Sequence, residues 1–166
     1  MNARATSNGL GSLAMVFLLA GCATLSSPLK TDLRLQTGRY GHAVVTDGQK
    51  LYVVGGSGPE GLLGNIEVLD PSSGQAEVLA NNLMPRRYHS AILVDGQIYV
   101  VGGESDSGAE ESVEIFDLET KTVSQGAPLP TPRRLSKAAL LDGQIYVVGG
   151  QDPENGNTET GTDVVE

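Results

Sequence analysis

Three arginines and two histidines are the residues of this chain whose types and spacing could do chemistry. Arg39, Arg86 and Arg133 stand 47 positions apart, and His42 and His89 follow the first two at the same interval. Guanidinium groups repeated in this way could grip carboxylates, or sulfated and acidic sugars, through paired hydrogen bonds. The structural alternative is that each arginine ties together loop carbonyls or the acid of a neighbouring repeat. Repeated residues in repeat arrays are more often architectural, which favours that alternative. The histidines do not make a zinc site, because the third equivalent position is Ser136 and no further ligand converges. Glu104, Asp106, Glu110 and Glu111 lack the regular oxygen-ligand spacing and turn glycine of a calcium loop, and are read as keeping a loop solvated. No metal and no cofactor is expected.

The sole cysteine carries a different kind of chemistry. Arg4 is the only charge before Lys30, Leu13 to Leu19 are an unbroken apolar run, and Ala20-Gly21-Cys22 follow. A basic start, an apolar stretch and small residues make an export signal, and the run is too short to span a bilayer, which takes about 20 apolar residues. Leu19-Ala20-Gly21-Cys22 resembles the lipobox of bacterial lipoproteins, which implies cleavage after residue 21, lipidation of Cys22, and a tether over 22–37. Ala23 after the cysteine is compatible, in that family, with sorting to the outer membrane. The alternative is an ordinary signal peptide ending near a cysteine. The expected location is the bacterial cell envelope, facing periplasm or surface, with the membrane contacted through the N-terminal lipid. With one thiol the chain can make no internal disulfide, so its core must stand on packing.

Charge removes one class of partner. Of 11 Lys+Arg only Arg4 would leave with the signal, so 10 face 20 Asp+Glu and the net charge is near −10. Nucleic-acid affinity rests on neutralising phosphates with Lys and Arg, so no nucleic-acid partner is expected.

The elements that must position these side chains are repeated. Leu51-Tyr52-Val53-Val54-Gly55-Gly56, Ile98-Tyr99-Val100-Val101-Gly102-Gly103 and Ile145-Tyr146-Val147-Val148-Gly149-Gly150 recur at a 47-residue period, as do Asp70 and Asp117, and Pro85 and Pro132. Units of this length holding several short strands point to propeller blades rather than a helical solenoid. Ser90–Val94 and Ile98–Val101 read as an antiparallel hairpin joined through Asp95-Gly96, and Asp142-Gly143 repeats the turn. Both faces of Ile98–Val101 are apolar, as for a strand between neighbouring sheets, and the glycine pair ends it where the backbone turns sharply. Val113 to Asp117 reads as a third strand, with a weaker fourth near Val123. In the first unit Asp47-Gly48 lies 8 residues after Arg39 instead of 9, and Lys50 restores the count. Tyr52, Tyr99 and Tyr146 are read as core packing.

Over residues 39–166 these units resemble Kelch repeats: Arg39-x-x-His42 and Arg86-x-x-His89 open them, and the Asp-Gly turn, the apolar run and Gly-Gly follow. The repeats run over 39–85, 86–132 and 133–166. The resemblance implies an all-β, antiparallel propeller with two four-stranded blades and part of a third within residues 38–166. It departs from the family in having Leu69/Ala76 and Phe116/Val123 where Kelch repeats have an aromatic and a Trp. Val164-Val165-Glu166 matches Ser112-Val113-Glu114, so the third unit stops in mid-strand. We therefore expect a fragment of a longer propeller; the alternative is a small protein completed by self-association through open blade edges.

Two function classes follow. One is an envelope binding module whose loops, Ser57 to Gly64 and Glu104 to Glu111, present a surface for a protein or carbohydrate ligand. The other, by resemblance, is part of a carbohydrate-active Kelch enzyme, either sialic acid mutarotase-like or galactose oxidase-like. The oxidase would need a Cys-Tyr crosslink, for which Cys22 is already committed, and no acid, base and nucleophile group stands out for the mutarotase. No catalytic residue is assigned.

Overall fold

A computed structural model describes residues 32–151, which are strand, turn and loop throughout. The expected signal, Cys22, most of the tether and the third repeat beyond Gln151 lie outside the described residues.

The first blade is β1 (Ala43–Thr46), β2 (Leu51–Val54), β5 (Ile66–Asp70) and β6 (Gln75–Ala80), with a small hairpin, β3 (Ser57–Gly58) and β4 (Gly61–Leu62), between β2 and β5. The second repeats it with β7 (Ser90–Val94), β8 (Gln97–Val101), β11 (Val113–Asp117) and β12 (Val123–Gln125), and with the small hairpin β9 (Glu104–Ser105) and β10 (Gly108–Ala109). Of the third, β13 (Lys137–Leu141) and β14 (Gln144–Val148) are described. All pairings are antiparallel, so the fold is the all-β, incomplete propeller expected.

Local chemistry sets these strands. Asp95 and Gly96 both have positive φ, 48° and 79°, the two-residue turn that matches strand twist, and Val94 pairs with Gln97. Asp142 and Gly143 repeat it. The first hairpin differs because its aspartate comes one residue early. Thr46 pairs with Leu51 across a four-residue turn, whose Asp47 Oδ1 accepts the N–H groups of Gln49 and Lys50 at 2.8 and 2.7 Å. The periodic Asp70 and Asp117 have the same use: each carboxylate accepts two backbone N–H groups in the turn between the outer strands.

The core lies between sheets. Val45, Tyr52, Val54, Ile66 and Val68 of the first blade pack on Ile98, Val100 and Phe116 of the second, with Leu83 closing the end. On the other face of the second blade, Val101, Val113 and partly buried Tyr99 meet Val147 and Ile145. Both faces of β8 are thus covered, and each fully buried aliphatic or aromatic side chain contributes about 1.5–3 kcal/mol.

Candidate functional site

The periodic arginines are inside the blades. Arg39 donates through one terminal nitrogen to Gly55 O (2.9 Å) and Asn65 Oδ1 (2.8 Å), and through the other to Glu67. Arg86 repeats this with Gly102 O (2.9 Å), Ser112 O (3.2 Å) and Glu114 Oε2 (2.8 Å). Arg133 donates to Gly149 O at 3.0 Å and is equally buried. Arg39 and Arg86 each clip the end of their own blade's central strand pair, so the paired acid belongs to the same repeat, not a neighbouring one. Burial pushes the Arg86 guanidinium below its ordinary value, although Glu114 pulls it back up. Buried and bonded to the chain through their terminal nitrogens, Arg39, Arg86 and Arg133 offer an incoming anion no free fork.

The backbone of these arginines joins one blade to the next. Arg86 N–H donates to Leu63 O (3.3 Å) and its carbonyl accepts from Gly56 (2.8 Å); Arg133 does the same with Glu110 O (3.1 Å) and Gly103 (2.9 Å). This contact explains the glycine pairs. Gly55, Gly56, Gly102, Gly103, Gly149 and Gly150 all have φ between 56° and 102°, and a Cβ on Gly102 would stand 2.7 Å from Arg133 O.

The exposed cations sit one residue further along. Arg87 donates to Glu104 from Nε (2.9 Å), and Arg134 pairs with the other oxygen of the same carboxylate. Their side chains keep 30% and 27% of their exposure against 12% for Glu104. Partial burial raises the Glu104 pKa, but the hydrogen bonds and charges of Arg87 and Arg134 outweigh it and hold the carboxyl below its ordinary value. Glu104 was expected only to solvate its loop; the two blades converge on it instead.

An aromatic and aliphatic row runs beside this network. The Tyr40 and Tyr88 rings are 6.4 Å apart, the Arg87 guanidinium lies 5.0 Å from the Tyr88 ring centre, and Arg87 donates to Tyr40 Oη at 3.1 Å. Backbone bonds from Tyr88 to Gly41 and from Leu135 to Tyr88 set the three repeats side by side. Tyr88 (φ 57°) and Leu135 (φ 62°) are left-handed at the position where the first repeat has Gly41 (φ 66°). A bulky residue there costs about 1–2 kcal/mol, and such strain gathers at functional sites. Next to this row, Ser57, Gly61, Leu62, Arg87, Glu104 and Asp106 line a cleft of about 240 Å³. Sequence reasoning missed Arg87, Arg134, Tyr88 and Leu135, although Arg87 and Arg134 share the 47-residue step and adjoin the chosen arginines.

His89 is buried, and its Nε2 lies 3.1 Å from Val54 O of the preceding blade. Burial, then the Arg86 charge, lowers its pKa to about 4. His42 is lowered by burial too. Among the described residues no group of three or more His, Cys, Asp or Glu side chains could hold a metal. The expected ligand loops, Ser57 to Gly64 and Glu104 to Glu111, brace the blade junctions through Leu63 and Glu110 as well as flanking the exposed row.

A family model described as the KLHDC2/KLHL20/DRC7 Kelch-repeats domain matches residues 15–165. No curated protein matches the chain.

Proposed function

The chain belongs to the Kelch-repeat family, and from that premise we propose that it is a cell-envelope binding module whose protein ligand docks on the row Tyr40, Tyr88 and Leu135 with Arg87 and Arg134. A Kelch propeller is a protein-interaction scaffold, and the row has the residue types that dominate such contacts, Tyr and Arg around an apolar centre. The observation that carries the reading is conformational. Two large side chains are held left-handed where glycine would sit without strain, which favours a role for the side chains themselves. Attachment to the envelope would come from lipidation at Cys22, supported by the signal-like order of residues 4–22.

Panning a random-peptide display library on the full chain tests the reading. Enriched peptides should lose binding at least tenfold to Leu135→Gly and to Tyr88→Ala. The proposal fails if no peptide is enriched, or if those changes leave binding intact. For the anchor, metabolic labelling with palmitate should mark the wild type and not Cys22→Ser; unlabelled wild type rejects the lipid.

A further inference from the structure

Asp47-Gly48 and Asp95-Gly96 are the same dipeptide in the two blades whose four strands are all described. An Asp-Gly pair carries its own reaction, because glycine puts no side chain in the way of its backbone nitrogen, which can attack the aspartate carboxyl group one residue back. Access does not separate the two pairs. All four residues are exposed, and a Cβ on Gly48 or on Gly96 would meet nothing within 4 Å. Their hydrogen bonds do separate them.

In the four-residue turn of the first blade both reacting groups are tied down. Asp47 Oδ1 accepts the Gln49 and Lys50 N–H groups, Oδ2 accepts the Tyr52 hydroxyl at 2.9 Å, and Gly48 N–H donates to Thr46 Oγ1 at 3.0 Å. The Lys50 and Gln49 N–H groups, and then the Tyr52 hydroxyl, hold the carboxyl below its ordinary value, in the anionic form that resists a nucleophile. In the second blade the turn has only two residues, and Asp95 stands at its first position with φ 48°. Among the described residues its carboxylate accepts no hydrogen bond and Gly96 N–H donates none. The Tyr99 hydroxyl, equivalent to that of Tyr52, goes to Gln97 Oε1 instead.

We infer that Asp95 is a site of spontaneous isoaspartate formation, and that the turn of the first blade protects Asp47 from the same reaction. Gly96 N forms a bond to Asp95 Cγ while the C–OH bond of the protonated carboxyl breaks, and the hydroxyl leaves with the nitrogen's proton as water. Water then opens the resulting five-membered imide. Opening at the Asp95 α-carbonyl leaves Gly96 joined through the side chain, with one more carbon in the main chain and a free α-carboxylate. A two-residue turn fixes the register of its hairpin, so the added carbon disturbs the Val94–Gln97 pairing that closes β7 onto β8. The inference rests on neither the proposed ligand nor lipidation.

Prolonged incubation of the full chain at neutral pH, folded and in guanidinium chloride, followed by tryptic digestion and electron-transfer fragmentation, tests it. The tryptic peptides 40–50 and 88–121 separate Asp47 from Asp95, and the fragment ions tell isoaspartate from aspartate. In the folded chain isoaspartate should accumulate at Asp95 at least about tenfold faster than at Asp47, since three donors must first release the Asp47 carboxylate. In guanidinium the two rates should converge. Thr46→Val combined with Tyr52→Phe should speed the reaction at Asp47 in the fold and leave Asp95 unchanged; circular dichroism reports whether this variant is folded, and the comparison of folded with unfolded wild type stands without it. Equal rates in the folded chain overturn the inference, as does faster reaction at Asp47, a ratio that guanidinium leaves unchanged, or a folded variant in which Asp47 reacts no faster.

Discussion

Arg86 and Glu114 form an ion pair 2.8 Å long in which both side chains are almost wholly buried, at 1% and 5% exposure. The carboxylate also accepts the Met84 N–H at 3.1 Å, so it fastens the approach to the blade as well as the arginine. Arg39 and Glu67 repeat the arrangement, with Gln36 and Thr37 N–H on the carboxylate. The end of the expected tether is therefore bonded into the first blade.

Removing one partner of such a pair strands a buried charge. Glu114→Gln should destabilise the fold by about 3–5 kcal/mol. Arg86→Met with Glu114→Gln should cost less than the sum of the single changes. Urea denaturation of the four proteins measures both statements, and a single-variant loss below about 1 kcal/mol would show the pair to be dispensable.

The partly exposed pair tests the role of burial. Glu104→Gln removes the carboxylate shared by Arg87 and Arg134 but should cost only about 0.5–1 kcal/mol, since water screens these groups. The cost should shrink with added salt, as that of Glu114→Gln should not. Denaturation midpoints at low and high salt compare the two.

Two glycines with positive φ should respond differently to alanine. A Cβ on Gly96 (φ 79°) meets nothing within 4 Å, so Gly96→Ala should cost about 1–2 kcal/mol from backbone strain alone. Gly102 (φ 61°) has Arg133 O of the next repeat at 2.7 Å from the same position, so Gly102→Ala must also push blades apart. Thermal unfolding should rank Gly102→Ala clearly below Gly96→Ala; equal melting temperatures would refute the junction role.

His89 predicts the direction of acid sensitivity. Its pKa is lowered to about 4 in the fold against an ordinary 6.5, so the unfolded chain binds more protons between these values. The stabilising contribution is complete above pH 6.5 and is lost as pH falls towards 4, by about 3 kcal/mol at most. His42, lowered as well, adds in the same sense. Urea midpoints at pH 7 and pH 4.5 should differ less in His89→Leu than in wild type; an unchanged difference would assign the loss elsewhere.

The blades were legible in the residues because their signals are local and occur three times. An Asp-Gly pair between apolar runs specifies its hairpin whatever surrounds it, and Asp70 and Asp117 close their turns with their own carboxylates. The early Asp47 lengthened its turn for the same local reason. The roles of the arginines were not legible, since Arg86 and Arg87 are chemically identical and adjacent.

What the sequence by itself determined is the period, the strand pairs and the two apolar faces of each inner strand. Those follow from backbone sterics and the alternation of side chains along an extended chain. Only the tertiary structure decided which arginine is interior. Glu67 and Glu114, 28 residues after Arg39 and Arg86, come within reach once β2–β5 and β8–β11 pair, and they draw those two arginines out of water. Arg87, one residue on, stays partly in water, its guanidinium over the Tyr88 ring and bonded to the Tyr40 hydroxyl across the blade junction.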